Sequence, residues 1–158
     1  MAGKRYGLAV IAVAVFSIVF IGVALLRLGE ANSEVNVSRD HIGPTPVTVF
    51  RSASAAGESM PVVVIAHGFA GSQQLMQPFA TTLAKNGYLA VTFDYYGHGR
   101  NLEALGGDVT EVEGSTQLLL EQTRAVANYA LSLPDAEPSR LAMLGHSMAS
   151  DVIVRYAK

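Results

Sequence analysis

The stretch Leu141-Ala142-Met143-Leu144-Gly145-His146-Ser147-Met148-Ala149 decides how this chain reads. An apolar run ends in a turn of small residues. A helical pattern follows, with Val152, Ile153 and Tyr156 on one side. A serine at so sharp a strand-to-helix turn has its hydroxyl lifted clear at the end of a sheet, where an incoming carbonyl could reach it.

Upstream, two more apolar runs end in glycine-punctuated loops. Val62-Val63-Val64-Ile65-Ala66 has the continuous burial of a strand covered on both faces, and it runs into His67-Gly68-Phe69-Ala70-Gly71-Ser72. Leu89-Ala90-Val91-Thr92-Phe93 repeats the pattern and ends in Asp94-Tyr95-Tyr96-Gly97-His98-Gly99-Arg100. Between them Met76, Phe79, Ala80 and Leu83 recur at helical spacing, with Pro78 suited to a first turn and Asn86-Gly87 as the stop. Ser115 to Leu133 is helical in pattern and ends at Pro134, while Leu102 to Gly114 shows no period and reads as loop. Pro46 to Phe50 alternates like a strand, and Arg140 to Leu144 is a third buried one. Strands alternating with helices imply βαβ units and a mostly parallel sheet in three layers. Ligands of such sheets sit at the carboxyl ends of the strands, so the three glycine loops should converge on one rim.

The N-terminus is of another kind. No charged residue occurs between Tyr6 and Leu26, and nearly every position is apolar or glycine. About 20 such residues in a helix span the hydrocarbon of a bilayer. Lys4 and Arg5 precede the run, whereas Arg27, Glu30 and Glu34 follow it. That asymmetry favours a cytoplasmic N-terminus and an exported remainder, hence a single-pass membrane protein with an extracytoplasmic globular part. The run is long for a cleaved signal peptide, and no convincing cleavage site follows it before Val35. The expected organisation is an anchor over 1–28, a tether and first strand region over 29–45, and a globular part over 46–158.

Composition excludes several classes. A net charge of −2 with no Lys/Arg cluster gives nucleic acid no surface to bind. The absence of cysteine removes disulfides, thiolate metal sites and a thiol nucleophile.

Taken in order, His67-Gly68-Phe69-Ala70-Gly71, Asp94-Tyr95-Tyr96-Gly97-His98-Gly99 and Gly145-His146-Ser147-Met148-Ala149 resemble the α/β-hydrolase family from about Val47 onward. The resemblance implies an α/β-hydrolase fold, with Ser147 as nucleophile and the backbone N–H groups of Phe69 and Met148 as the oxyanion hole. His67, Gly68, Gly145 and His146 support the motifs. The family usually has a glycine where Ala149 stands. The implied chemistry is acyl transfer to serine from a small-molecule acyl substrate, and it requires neither metal nor organic cofactor.

The remaining candidates read as structural. His67, His98 and His146 shape loops, and His41 lies on the surface. Asp94 suits loop structure better than catalysis, Asp151 a helix cap or solvent, and Tyr95 and Tyr96 packing. The family order places an acid and then a histidine on strands after the serine. Neither follows here, so the reading expects an incomplete fold truncated before those residues, with Arg140–Leu144 left as an open edge. The alternative is an inactive membrane-tethered remnant or binding module. A third possibility is complementation by another chain supplying Asp and His.

Overall fold

The computed structural model describes residues 2–55, 57–107 and 114–158. It divides into two units that meet between Glu34 and Val35. The first is helix α1, Ala2–Ser33. Within it the 24 residues Gly7–Glu30 reach a mean hydropathy of 3.0. At 1.5 Å per residue they extend about 36 Å, long enough to cross a bilayer.

The second unit is a five-stranded mixed sheet flanked by helices. Its strands are β1 (Val35–Ile42), β2 (Thr45–Ser52), β3 (Met60–Ala66), β4 (Leu89–Phe93) and β5 (Ala136–Gly145), in the order β1-β2-β4-β3-β5. Helices α2 (Gln73–Lys85), α3 (Gly114–Leu131) and α4 (Met148–Tyr156) complete it. β1 and β2 form an antiparallel hairpin, turning at Gly43 with φ +56°. β2 runs antiparallel to β4, whereas β4, β3 and β5 are mutually parallel. The parallel part is therefore the half that carries the glycine loops.

Alternation along β3 explains the layers. Val62, Val64 and Ala66 point to one face, packing with Leu119, Val126 and Ala130 of α3 and with Ala149 and Val152 of α4. Val63 and Ile65 point to the other, against Met76, Ala80 and Ala84 of α2. Each such side chain taken fully from water contributes roughly 1.5–3 kcal/mol, which is why the continuous apolar run forms a central strand. The chain leaves β3 through α2 to β4 on one side, and returns from β4 through α3 to β5 on the other. The exits of β3 and β5 thus diverge to opposite faces, and a crevice opens between them.

Within the span expected as tether and first strand region, residues 35–42 form strand β1. Three local expectations are corrected. Helix α2 begins at Gln73, so Pro78 lies inside it rather than in its first turn. Phe79 is exposed at 52%, and the fully buried residues of that helix are Gln73, Met76, Ala80 and Ala84. Finally, the apolar run Arg140–Leu144 reads as a buried strand, whereas several residues of β5 are exposed. Its register against β3 jumps from Pro61↔Glu137 to Val62↔Leu141, leaving Pro138, Ser139 and Arg140 as a bulge. Of the loop expected over 102–114, residues 108–113 lie outside the described residues.

Candidate active site

Ser147 sits between β5 and α4 with φ 54° and ψ −118°. An L-residue in that conformation is strained, because its Cβ crowds the following carbonyl. Among the described residues only one other non-glycine has positive φ, Ala70 at 54°. They stand in the loops that follow β3 and β5. Backbone strain of this kind clusters at functional positions.

The elbow is held rigidly. The His146 N–H donates to Ala66 O at 3.1 Å, tying the turn to the end of β3, and the Ser150 hydroxyl donates to Gly145 O at 3.0 Å. A Cβ on Gly145 would lie 2.7 Å from Ile153 Cδ1 and 2.8 Å from the backbone carbon and oxygen of Ala149. Glycine there is obligatory. Ala149 is fully buried, so its methyl is accommodated where the family more often has hydrogen.

Across the crevice, residues 68–71 make a turn closed by Gly71 N–H donating to Gly68 O at 3.0 Å. Ala70, third in that turn, supplies the positive φ that a type II turn requires. Gly68 packs on the elbow itself: a Cβ there would be 2.9 Å from His146 Nδ1 and 3.0 Å from Ser147 Cβ. The N–H groups of Phe69 and Met148 have no hydrogen-bond partner among the described residues. The two amides are unengaged, one on the loop beside the serine and one next to it in the chain.

Deeper in, His67 is fully buried. Its Nδ1 lies 2.8 Å from Gly68 O, which only accepts, so Nδ1 carries the proton. Its Nε2 accepts the Tyr95 N–H at 3.1 Å. Burial lowers the His67 pKa below its ordinary value, against the opposing pull of the Gly68 carbonyl and Asp94. The ring is neutral and occupied at both nitrogens. His98 likewise donates Nδ1–H to Tyr96 O at 2.7 Å, and its ring meets those of His67 and Phe69. His146 is exposed beside the serine. No described side chain hydrogen-bonds the Ser147 hydroxyl.

Asp94 is fully buried and accepts Gln73 N–H at 2.7 Å, Gln73 Nε2–H at 2.9 Å and Arg100 N–H at 3.1 Å. It caps α2 from another strand, while Ser72, the residue in the cap position, makes no side-chain cap bond. Asp151 is exposed on α4 and pairs with Arg155 Nε at 2.9 Å. His41 is exposed on β1. Tyr95 is buried, donating to Thr123 Oγ1 at 2.9 Å, since that hydroxyl itself donates to Leu119 O. Burial pushes the Tyr95 phenol up to about 12.

Three contributors were not singled out in the sequence: Ala70, Gln73 and Gln122. Gln122 receives the Tyr96 N–H on its Oε1 and donates Nε2–H to Thr45 Oγ1 and Asp94 O. Its signal is a polar residue on the buried stripe of α3, between Leu119 and Val126. A groove of about 510 Å³ runs from Gly68 and Phe69 past Leu75, Met76 and Phe79 to Leu144 and His146. Among the described residues no group of His, Asp or Glu is placed to hold a metal ion.

Residues 57–158 match the family of serine aminopeptidase S33, so this chain belongs to that family of α/β-hydrolases. An uncharacterized protein of Mycobacterium tuberculosis is 29% identical over 102 residues, 65% of this chain and 33% of the relative. The chain therefore spans about a third of the length of the curated relatives it matches. Among solved structures, the thioesterase domain of the curacin biosynthetic pathway superposes with a TM-score of 0.53 at 28% identity, covering 78% of this chain and 39% of that one. A bacterial membrane phospholipase A gives 0.55 at 20% identity over 99% of this chain and 47% of its own. The epoxide hydrolase of Vigna radiata gives 0.54 at 18% over 79% and 34%. The last two speak for the fold alone. The chain is an α/β-hydrolase of the serine hydrolase type with a long apolar N-terminal helix.

Proposed function

We propose that this protein is a membrane-anchored serine hydrolase acting on carboxylic ester or related acyl bonds. Ser147 is the nucleophile, and the N–H groups of Phe69 and Met148 hold the oxygen that becomes negative during attack. The observation that carries the reading is the strained Ser147 packed against the Gly68 turn, with the unengaged amides of Phe69 and Met148 beside it. Attack by the Ser147 oxygen on the acyl carbon forms a C–O bond as the carbonyl π pair moves to oxygen. Collapse expels the leaving group and leaves an acyl-serine, which water then hydrolyses. Two preorganised amides stabilise the intermediate by roughly 3 kcal/mol each.

A serine hydroxyl needs a base to take its proton. His67 is engaged at both nitrogens and is not that base. In the family the base is a histidine from a strand after the serine, which takes the hydroxyl proton and returns it to the leaving group. A second reading, an inactive tethered binding module, is favoured by the bare Ser147 hydroxyl. In both, α1 anchors the protein, with Lys4 and Arg5 on the cytoplasmic side and the sheet outside.

The test uses the full-length gene product in its native membrane. Alkaline carbonate should fail to extract it, and a fluorophosphonate should add one adduct, mapped by peptide mass spectrometry to Ser147. Extraction into the soluble fraction overturns the anchor. An intact, folded protein without an adduct favours the binding module.

A further inference from the structure

The loop that carries the Phe69 amide, residues 67–72, is held at both ends by two neighbouring residues of the β4 exit. At its start, His67 Nε2 accepts the Tyr95 N–H at 3.1 Å. At its end, Asp94 Oδ1 accepts the Gln73 N–H at 2.7 Å. Asp94 also accepts Gln73 Nε2–H and Arg100 N–H, so the same carboxylate fixes its own loop. Gly99 lies over that carboxylate so closely that a Cβ would come within 2.8 Å of both carboxylate oxygens. Nothing but glycine fits there.

Between the two holds lies one peptide unit, Gly68–Phe69. Its carbonyl is bound twice, by His67 Nδ1–H at 2.8 Å and by Gly71 N–H at 3.0 Å. Among the described residues every peptide bond is trans, so the N–H of the same unit points opposite to its C=O. Fixing the Gly68 oxygen toward His67 therefore aims the Phe69 N–H away from the ring and out of the turn. The His67 ring can do this in one state only: proton on Nδ1, Nε2 bare for Tyr95. A ring proton on Nε2 alone would set N–H against N–H at one end and leave the Gly68 carbonyl short of a donor at the other.

We propose that His67 and Asp94 are positioning residues of the oxyanion peptide, His67 by orienting the Gly68–Phe69 unit and Asp94 by anchoring the loop's return into α2. The proposal rests on the reading of Ser147 as nucleophile for its catalytic consequence, but its structural content stands without it. Neither residue touches substrate. Both act through the direction of one backbone N–H.

The test has two arms, both on the full-length protein in detergent micelles. In the first, long-range nitrogen-15 spectra of the His67 ring at neutral pH should show Nδ1 protonated and Nε2 bare. Hydrogen exchange at the Gly71 amide should accelerate about tenfold in His67→Ala and in Asp94→Asn. His67→Asn, whose amide can still donate to Gly68 O, should restore it. In the second, the rate of fluorophosphonate addition to Ser147 should fall about a hundredfold in His67→Ala, as for loss of an oxyanion donor. It should recover substantially in His67→Asn even where the melting temperature does not, which a merely structural role would not produce. The Nε2-protonated tautomer, or wild-type Gly71 exchange in His67→Ala, overturns the proposal. If His67→Ala does not fold, the ring spectrum and Asp94→Asn decide it. A wild-type protein that is never labelled rejects the nucleophile and leaves the first arm to judge the positioning.

Discussion

Gly68 and Ser147 touch through backbone and Cβ, since a methyl on Gly68 would stand 3.0 Å from the serine Cβ. The loop and the elbow are thus one fitted surface, and glycine is what lets them meet. Gly68→Ala should give a folded protein whose loop is pushed off the elbow, with fluorophosphonate addition reduced about a hundredfold. Gly145→Ala meets rigid backbone at 2.8 Å instead, and should cost about 1–3 kcal/mol of stability in chemical denaturation.

The strain at the site should be measurable by removing it. Ser147 and Ala70 both hold φ at 54°, which glycine adopts without penalty. Ser147→Gly and Ala70→Gly should each stabilise the protein by about 1 kcal/mol in urea titrations followed by circular dichroism. Ser147→Gly abolishes labelling while raising stability. Loss of stability in both variants would show that the two conformations carry no strain.

The two carboxylates near the site should behave oppositely. Asp94 is buried and accepts three N–H bonds, so Asp94→Asn places an amide among donors and should cost about 2 kcal/mol or more. Asp151 is exposed, and Asp151→Asn removes only an ion pair four residues apart, within about 0.5 kcal/mol of wild type. Equal effects at the two positions would contradict the assignment of Asp94 as the tertiary cap of α2.

Protonation gives a further check. Burial lowers the His67 pKa in the fold, whereas the unfolded chain titrates near the ordinary 6.5. Below that value the unfolded state binds a proton that the folded state refuses, so stability is present above about pH 6.5 and lost as pH falls. The slope contributed by one such group approaches about 1.4 kcal/mol per pH unit. Denaturation midpoints measured from pH 7.5 to 5 should show this decline, and His67→Asn should flatten it.

Much of this was legible because it is local. Gly145-His146-Ser147 sits on contiguous residues, and the runs 62–66 and 89–93 declare buried strands by their lack of alternation. The errors fall where the cause is distant. The N-terminus of α2 is capped by Asp94, 21 residues away, and the Ser72 side chain makes no cap bond, so the local pattern around Pro78 does not reveal that the helix has already begun at Gln73. The bounds of β1 within the expected tether and first strand region are not legible, because only Val35 of its eight residues is fully buried. The role of His67 depends on Tyr95 N–H, 28 positions on, which no spacing rule connects. Ala70 was invisible for another reason: positive φ at an alanine is a property of the closed turn, not of the residue.

The central claim is that the Phe69 and Met148 amides converge on an oxygen bound to the group that Ser147 attacks. The most direct measurement is a high-resolution structure of the fluorophosphonate adduct. The account predicts phosphorus on Ser147 Oγ with its oxygen within about 2.7–3.1 Å of both amide nitrogens. An adduct whose oxygen faces solvent, away from Phe69 N, would contradict it.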